Sequence, residues 1–60
     1  MRVVVHLPDT WDNNDANVPV EFTYEKATVN YNYDDYIVVS HPGGRALFPK
    51  RNVKYIEEFV

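Results

Sequence analysis

The chain has 60 residues, a formal net charge of −3 at pH 7 and no cysteine. It is therefore long enough for one small domain, residues 1–60, and it lacks a disulfide framework and any thiolate metal site. A domain of this size buries roughly 60% of the surface that its unfolded chain exposes, which leaves little room for the enclosed pocket of an enzyme. The acidic balance argues against a general nucleic-acid binder. No apolar run approaches the ~18 residues of a membrane span, and residues 2–7 are too short for a signal-peptide core. We expect a soluble cytoplasmic protein without membrane contact.

Alternation of apolar and polar residues predicts six short strands, at 2–7, 18–25, 27–33, 36–41, 45–48 and 53–59. Pro8 ends the first strand, and the Asn- and Asp-rich residues 9–17 are typical of a loop. Residues 34–35 join strands three and four in a tight hairpin. A Pro-Gly-Gly turn at 42–44 follows the fourth strand, and residues 49–52 fit one 3₁₀ turn.

Six short strands in so small a chain are too few for two full stacked sheets. We therefore expect an all-β fold, either a small bent antiparallel sheet or a partly open barrel of five to six strands. Either arrangement buries one shared face. The expected core consists of Val3, Val5, Leu7, Val20, Phe22, Val29, Val38, Leu47 or Phe48, Val53 and Ile56.

The C-terminal half carries a pattern of hydrophobic spacing: residues 36–39, a Gly-containing turn, Leu47-Phe48-Pro49, and residues 52–58. This pattern resembles small single-domain proteins of bacteriophages and prophages. It is also similar to Sm-like and Src-homology-3-like barrels. The resemblance implies a phage-type origin and a fold of five or six strands, and it transfers no catalytic residue. The acidic loop at residues 9–17 departs from the pattern.

The residues that could carry chemistry are few. Ser40 is the only serine, and it neighbours His41 on one strand, so the two side chains point to opposite faces and cannot form a nucleophile–base pair. The other histidine, His6, is typical of a residue on a polar strand face. Residues 12–17 lack the central glycine and the distant glutamate of a calcium loop. We therefore expect no catalytic residue, no metal and no cofactor.

The segment around the third turn is the first candidate binding site. Tyr31, Tyr33 and Tyr36 cluster there, with Asp34 and Asp35 at its tip. Aromatic rings on a sheet can stack on bases, but that mode needs a positive groove and this segment has no Lys or Arg. The segment is therefore interpreted as a protein contact site or as core packing. Whether Tyr31 and Tyr33 face the core or a partner stays open at this point.

Two further candidates lie elsewhere in the chain. Trp11 either caps the open end of the barrel or serves as an exposed interface anchor, and capping is favoured. Lys50 and Arg51, on the one-turn segment, could hold an anion or phosphate, although a solvated rim is the simpler interpretation.

These features favour a small non-enzymatic binding protein, encoded by a phage, that docks on a host protein and modulates or inhibits it. One alternative is a Sm-like nucleic-acid or nucleotide binder that uses Lys50, Arg51 and the tyrosines. The other alternative is a structural subunit of a homo-oligomer. Free edge strands and the Phe59-Val60 terminus would suit this role.

Overall fold

A computed structural model describes residues 1–11 and 17–60 of the chain, with the side chains of 1–10 and 18–60. Its elements in chain order are β1 (Arg2–Trp11), β2 (Asn17–Tyr24), β3 (Thr28–Asn30), β4 (Tyr36–His41), β5 (Gly44–Pro49), a 3₁₀ turn (Lys50–Asn52) and β6 (Tyr55–Phe59). The described part of the chain contains no helix that is long and apolar enough to cross a membrane.

The strands form two three-stranded antiparallel sheets. Sheet A has the order β2-β1-β6, and sheet B has the order β3-β4-β5. The all-β class, the six strands and the 3₁₀ turn after β5 are confirmed. Among the described residues no strand pair joins the two sheets, so the barrel is not closed.

The first strand is longer than the sequence predicts. Pro8 does not end it, because β1 continues to Trp11. The register with β2 shifts between Leu7, which pairs with Val20, and Thr10, which pairs with Val18. Two residues of β1 therefore lie opposite the single residue Pro19. A bulge of this kind lets a strand pass a proline, which has no N–H for the ladder.

The third strand is shorter than predicted, and the tight hairpin at residues 34–35 is wrong. β3 ends at Asn30, so the connection to β4 comprises residues 31–35. The N–H of Asn32 donates to the Asn30 side-chain oxygen at 2.9 Å. This local bond offers the backbone an alternative to the sheet ladder, which is how asparagine commonly ends a strand.

The core lies between the two sheets and is small. Its centre is a cluster of Val3, Val5, Ala27, Val39 and Phe48, and Ile37 is also buried on this face. Val38 is buried too, but it lies opposite Leu47 on the outer face of sheet B. Several expected core residues, namely Leu7, Val29, Val53 and Ile56, are partly buried and pack against this cluster.

The structure corrects the expected position of Phe22, decides between Leu47 and Phe48, and adds Val39 to the core. Phe22 is 45% exposed, although its pairing with Val5 places it on the inner face of sheet A. It lies on the edge strand β2, where a neighbouring strand shields its side chain on one side only. Leu47 is 59% exposed, so Phe48 is the residue of that pair that enters the core. Val39 was not expected there, yet it is fully buried because β4 is the central strand of sheet B.

The sheets are joined by aromatic contacts and single backbone hydrogen bonds. The Phe48 ring lies 6.0 Å from Phe22 and 6.3 Å from Tyr24, and Tyr24 lies 4.8 Å from the His41 ring. The N–H of Ala27 donates to the carbonyl of Met1 at 2.7 Å. These contacts hold sheet A over the inner face of sheet B.

Candidate functional site

An open groove of about 710 Å³ lies at the end of sheet B where β4 begins and β5 ends. Its lining residues are Asp34, Asp35, Tyr36, Leu47, Pro49, Lys50 and Arg51. The sequence placed five of these seven in two separate candidate sites. The structure brings the acidic segment and the basic segment together.

Two backbone features position the walls of the groove. Tyr36, at the start of β4, pairs with Pro49, at the end of β5. The N–H of Lys50 then donates to the carbonyl of Asp35 at 2.9 Å. This bond ties the 3₁₀ turn to the residues before β4, so the two charged segments flank one depression.

The floor of the groove is apolar because side chains alternate along a strand. Ile37 and Phe48 face the core, so their neighbours Tyr36 and Leu47 face outward. Pro49 lies opposite Tyr36 on the same outer face. Leu47 is the most exposed apolar side chain here, at 59%. The sequence did not mark it as a site residue because Leu47 and Phe48 are equally apolar.

The charges of the groove are not neutralised by any residue that the structure describes. In the part of the chain that the structure describes, Asp34, Asp35 and Arg51 form no ion pair. The ammonium of Lys50 donates to the carbonyl of Tyr31 at 3.3 Å, and no carboxylate of a described residue pairs with it. The groove therefore offers both signs of charge around an apolar floor.

The predicted tyrosine cluster divides into two parts. Tyr33 and Tyr36 stack, with ring centroids 4.8 Å apart and planes 15° apart. Tyr31 instead turns towards β6, where its hydroxyl donates to Glu58 at 3.4 Å. Tyr31 and Tyr33 are both exposed, so neither is a core residue. Burial raises the pKa of Tyr31, and the negative charge of Glu58 and the hydrogen bond to it raise this pKa further.

Trp11 ends β1, and its side chain lies outside the described part of the structure, as do residues 12–16. The choice between a capping and an anchoring tryptophan therefore stays a prediction, as does the expectation that residues 12–17 bind no calcium.

A second polar cluster lies on the outer face of sheet A. His6, at the centre of β1, has Nε2 at 2.6 Å from Glu57 and Nδ1 at 3.4 Å from Glu21, and its ring stacks on Tyr55 at 4.0 Å. These residues come from all three strands of the sheet, so the cluster ties β2, β1 and β6 together. Sequence reasoning could not find this cluster, because its members are distant along the chain.

Ser40 and His41 lie on opposite faces of sheet B, as the sequence predicts. Ser40 pairs with Thr28 and Arg45 on the outer face of sheet B, whereas the His41 ring lies against Tyr24 on the inner side. Among the described residues there is no group of three or more His, Asp or Glu side chains that could hold a metal ion.

Comparison with protein-family models, with curated proteins and with solved structures found no match in any of the three. The groove is therefore interpreted from its own chemistry.

Proposed function

We propose that this protein is a small, non-enzymatic binding module that docks on a partner protein through the groove of sheet B. The observation that carries the proposal is the apolar floor of Leu47, Tyr36 and Pro49 between unneutralised charges. Interfaces combine an apolar centre, often with tyrosine, and a polar rim that sets orientation. The groove has this composition on a small scale.

The groove favours a particular kind of partner segment. An apolar side chain would cover Leu47, which removes its exposed surface from water at roughly 25 cal/mol per Å². Next to that side chain, a cationic group would face Asp34 and Asp35, and an anionic group would face Lys50 and Arg51. We therefore propose a linear protein segment that carries an apolar residue next to residues of both charges.

The groove supports binding of protein more than binding of nucleic acid. A single strand needs a continuous positive track and free aromatic faces. Here the two cationic residues share the groove with two carboxylates, and Tyr33 already covers one face of Tyr36. The further steps of the proposal, a phage origin and a host protein as the partner that is modulated or inhibited, rest on the sequence resemblance alone.

The experiment is a selection of linear peptides from a random display library against the purified protein, followed by mapping of the selected peptides by two-dimensional NMR of the ¹⁵N-labelled protein. We expect amide shifts at residues 34–36, 47–48 and 50–51. Leu47→Ser, and the double variant Asp34→Lys/Asp35→Lys, should weaken binding at least tenfold while the thermal midpoint changes little.

Phe59→Ser is the matched control, since Phe59 is similarly exposed but lies on β6 of sheet A, outside the groove. Peptides whose shifts map elsewhere, or which bind Leu47→Ser as well as wild type, would refute the groove. A single-stranded oligonucleotide is the second probe. If it bound at the groove with a steep loss of affinity in salt, the nucleic-acid alternative would replace the proposal.

A further inference from the structure

The free edge of sheet A is a second surface, and it shares no residue with the groove. β2 pairs with β1 on one side, and no other described strand pairs with its outer side. With eight residues it is the longest edge strand of the described sheets. An unpaired strand edge presents N–H and C=O groups that can pair with another strand.

The inner face of this edge is apolar and open. Val20, Phe22 and Tyr24 pair with the core-facing residues of β1, so they continue the core towards the edge. Phe22 is 45% exposed there despite its contact with Phe48. A core-facing phenylalanine that is open at an unpaired edge indicates that a further strand would cover it.

We propose that this strand is β2 of a second copy of the chain, paired antiparallel about a two-fold axis at Phe22. Directly opposite residues share a face, so the axis must pass through a residue position for the inner faces of both copies to be continuous. Centred on Phe22, the register places Phe22 opposite itself and Val20 opposite Tyr24. Both are apolar pairs of the kind that stabilise sheets.

Charge and backbone chemistry exclude the neighbouring registers. An axis at Glu21 places two carboxylates opposite each other, and an axis at Thr23 places Glu21 opposite Glu25. An axis at Val20 brings Pro19, which has no N–H, into the paired segment. Of these four axis positions, Phe22 is the one that both places Glu21 opposite an uncharged partner, Thr23, and leaves Pro19 at the margin.

The other edges fit a second copy less well. β3 has three residues, and β6 carries adjacent Glu57 and Glu58. β5 contributes Leu47 and Pro49 to the groove. Pairing at β2 would instead extend sheet A to six strands and leave the groove accessible in both copies.

The test uses the predicted pairing of Glu21 of one copy with Thr23 of the other, which occurs twice in each symmetric dimer. Thr23→Lys creates two pairs of opposite charge, and Thr23→Glu creates two pairs of like charge. At low salt we expect the dimer dissociation constant to fall by about two- to thirtyfold in the first variant and to rise by a similar factor in the second. Sedimentation equilibrium from micromolar to millimolar protein measures it.

The double variant Glu21→Lys/Thr23→Glu restores opposite charges and should restore association. Circular dichroism and the thermal midpoint establish that each variant is folded, which matters because Glu21 also contacts His6. A wild-type chain that is monomeric at millimolar concentration would overturn the proposal. So would a dimer whose dissociation constant is the same in both Thr23 variants.

Discussion

Two adjacent valines of β1, Val4 and Val5, allow the core packing to be tested by making the same substitution at each. Val5 is fully buried and pairs with Phe22 on one side and Ile56 on the other. Val4 lies on the outer face, half-buried, between Thr23 and Glu57. Valine to alanine removes the same two carbons at each site of one strand, so the difference between the two losses reports how deeply each side chain is packed.

The magnitude follows from the transfer of two carbons and the cavity that they leave. At about 0.8 kcal/mol per buried carbon the transfer part is roughly 1.6 kcal/mol. A cavity of a few tens of Å³ adds about 1 kcal/mol. Val5→Ala should therefore lower the free energy of unfolding by about 2–3 kcal/mol, against about 1 kcal/mol or less for Val4→Ala. A domain of this size has only about 3–5 kcal/mol in total.

Urea unfolding followed by circular dichroism measures both variants. With a denaturant slope near 1 kcal/mol per molar, the midpoint of Val5→Ala should fall by about 2–3 M or the chain should be unfolded without urea. Equal midpoints for the two variants would refute the reasoning. A larger loss in Val4→Ala would mean that β1 is shifted by one residue, which exchanges the faces of the strand.

Two further predictions concern a turn and a titrating side chain. Gly44 has φ +136°, where an L side chain is strained, so Gly44→Ala should cost about 1–3 kcal/mol. Gly43→Ala should cost less, because its added carbon meets only the movable ring of His41 at 3.2 Å; equal urea midpoints would contradict this. Folding raises the pKa of Tyr31 above its ordinary value of 10.0. The stability linked to this shift is therefore fully present below pH 10.0. It is lost as the pH rises from there through the pKa of Tyr31 in the folded state. Tyr31→Phe should therefore lose less stability than wild type between neutral and alkaline urea titrations, and parallel losses would refute it.

The sequence predicted those elements whose boundaries are local. β4 was predicted at its observed bounds because it lies between a polar segment and Pro42, and the 3₁₀ turn followed from the break after Phe48. The predicted end of β1 at Pro8 was wrong because a strand that bulges can continue past a proline. Here the register passes it opposite Pro19. That outcome depends on a strand pairing, which the alternation of one segment does not contain.

For the candidate site too, one part was predictable from the sequence and another part was not. Its residue types were recognised, because acidic, basic and aromatic side chains are visible in any sequence. That Asp35 and Lys50 lie side by side depends on a backbone hydrogen bond between segments distant in the chain. Leu47 and Phe48 could not be separated either, since only the pairing of Phe48 with the core residue Ile37 decides which of them faces outward.

The two proposed surfaces would reinforce each other. The groove is shallow and apolar over only three side chains, so a single copy would hold its partner weakly. Pairing at the β2 edge would place two grooves in one particle, because the groove is built from residues of sheet B and the pairing from residues of sheet A. Against a partner that presents the segment more than once, the second contact would then be intramolecular. Avidity can exceed the affinity of one site by about 10²–10⁴-fold without any new contact. A chain of 60 residues whose groove has so small an apolar floor would gain tight binding by this route.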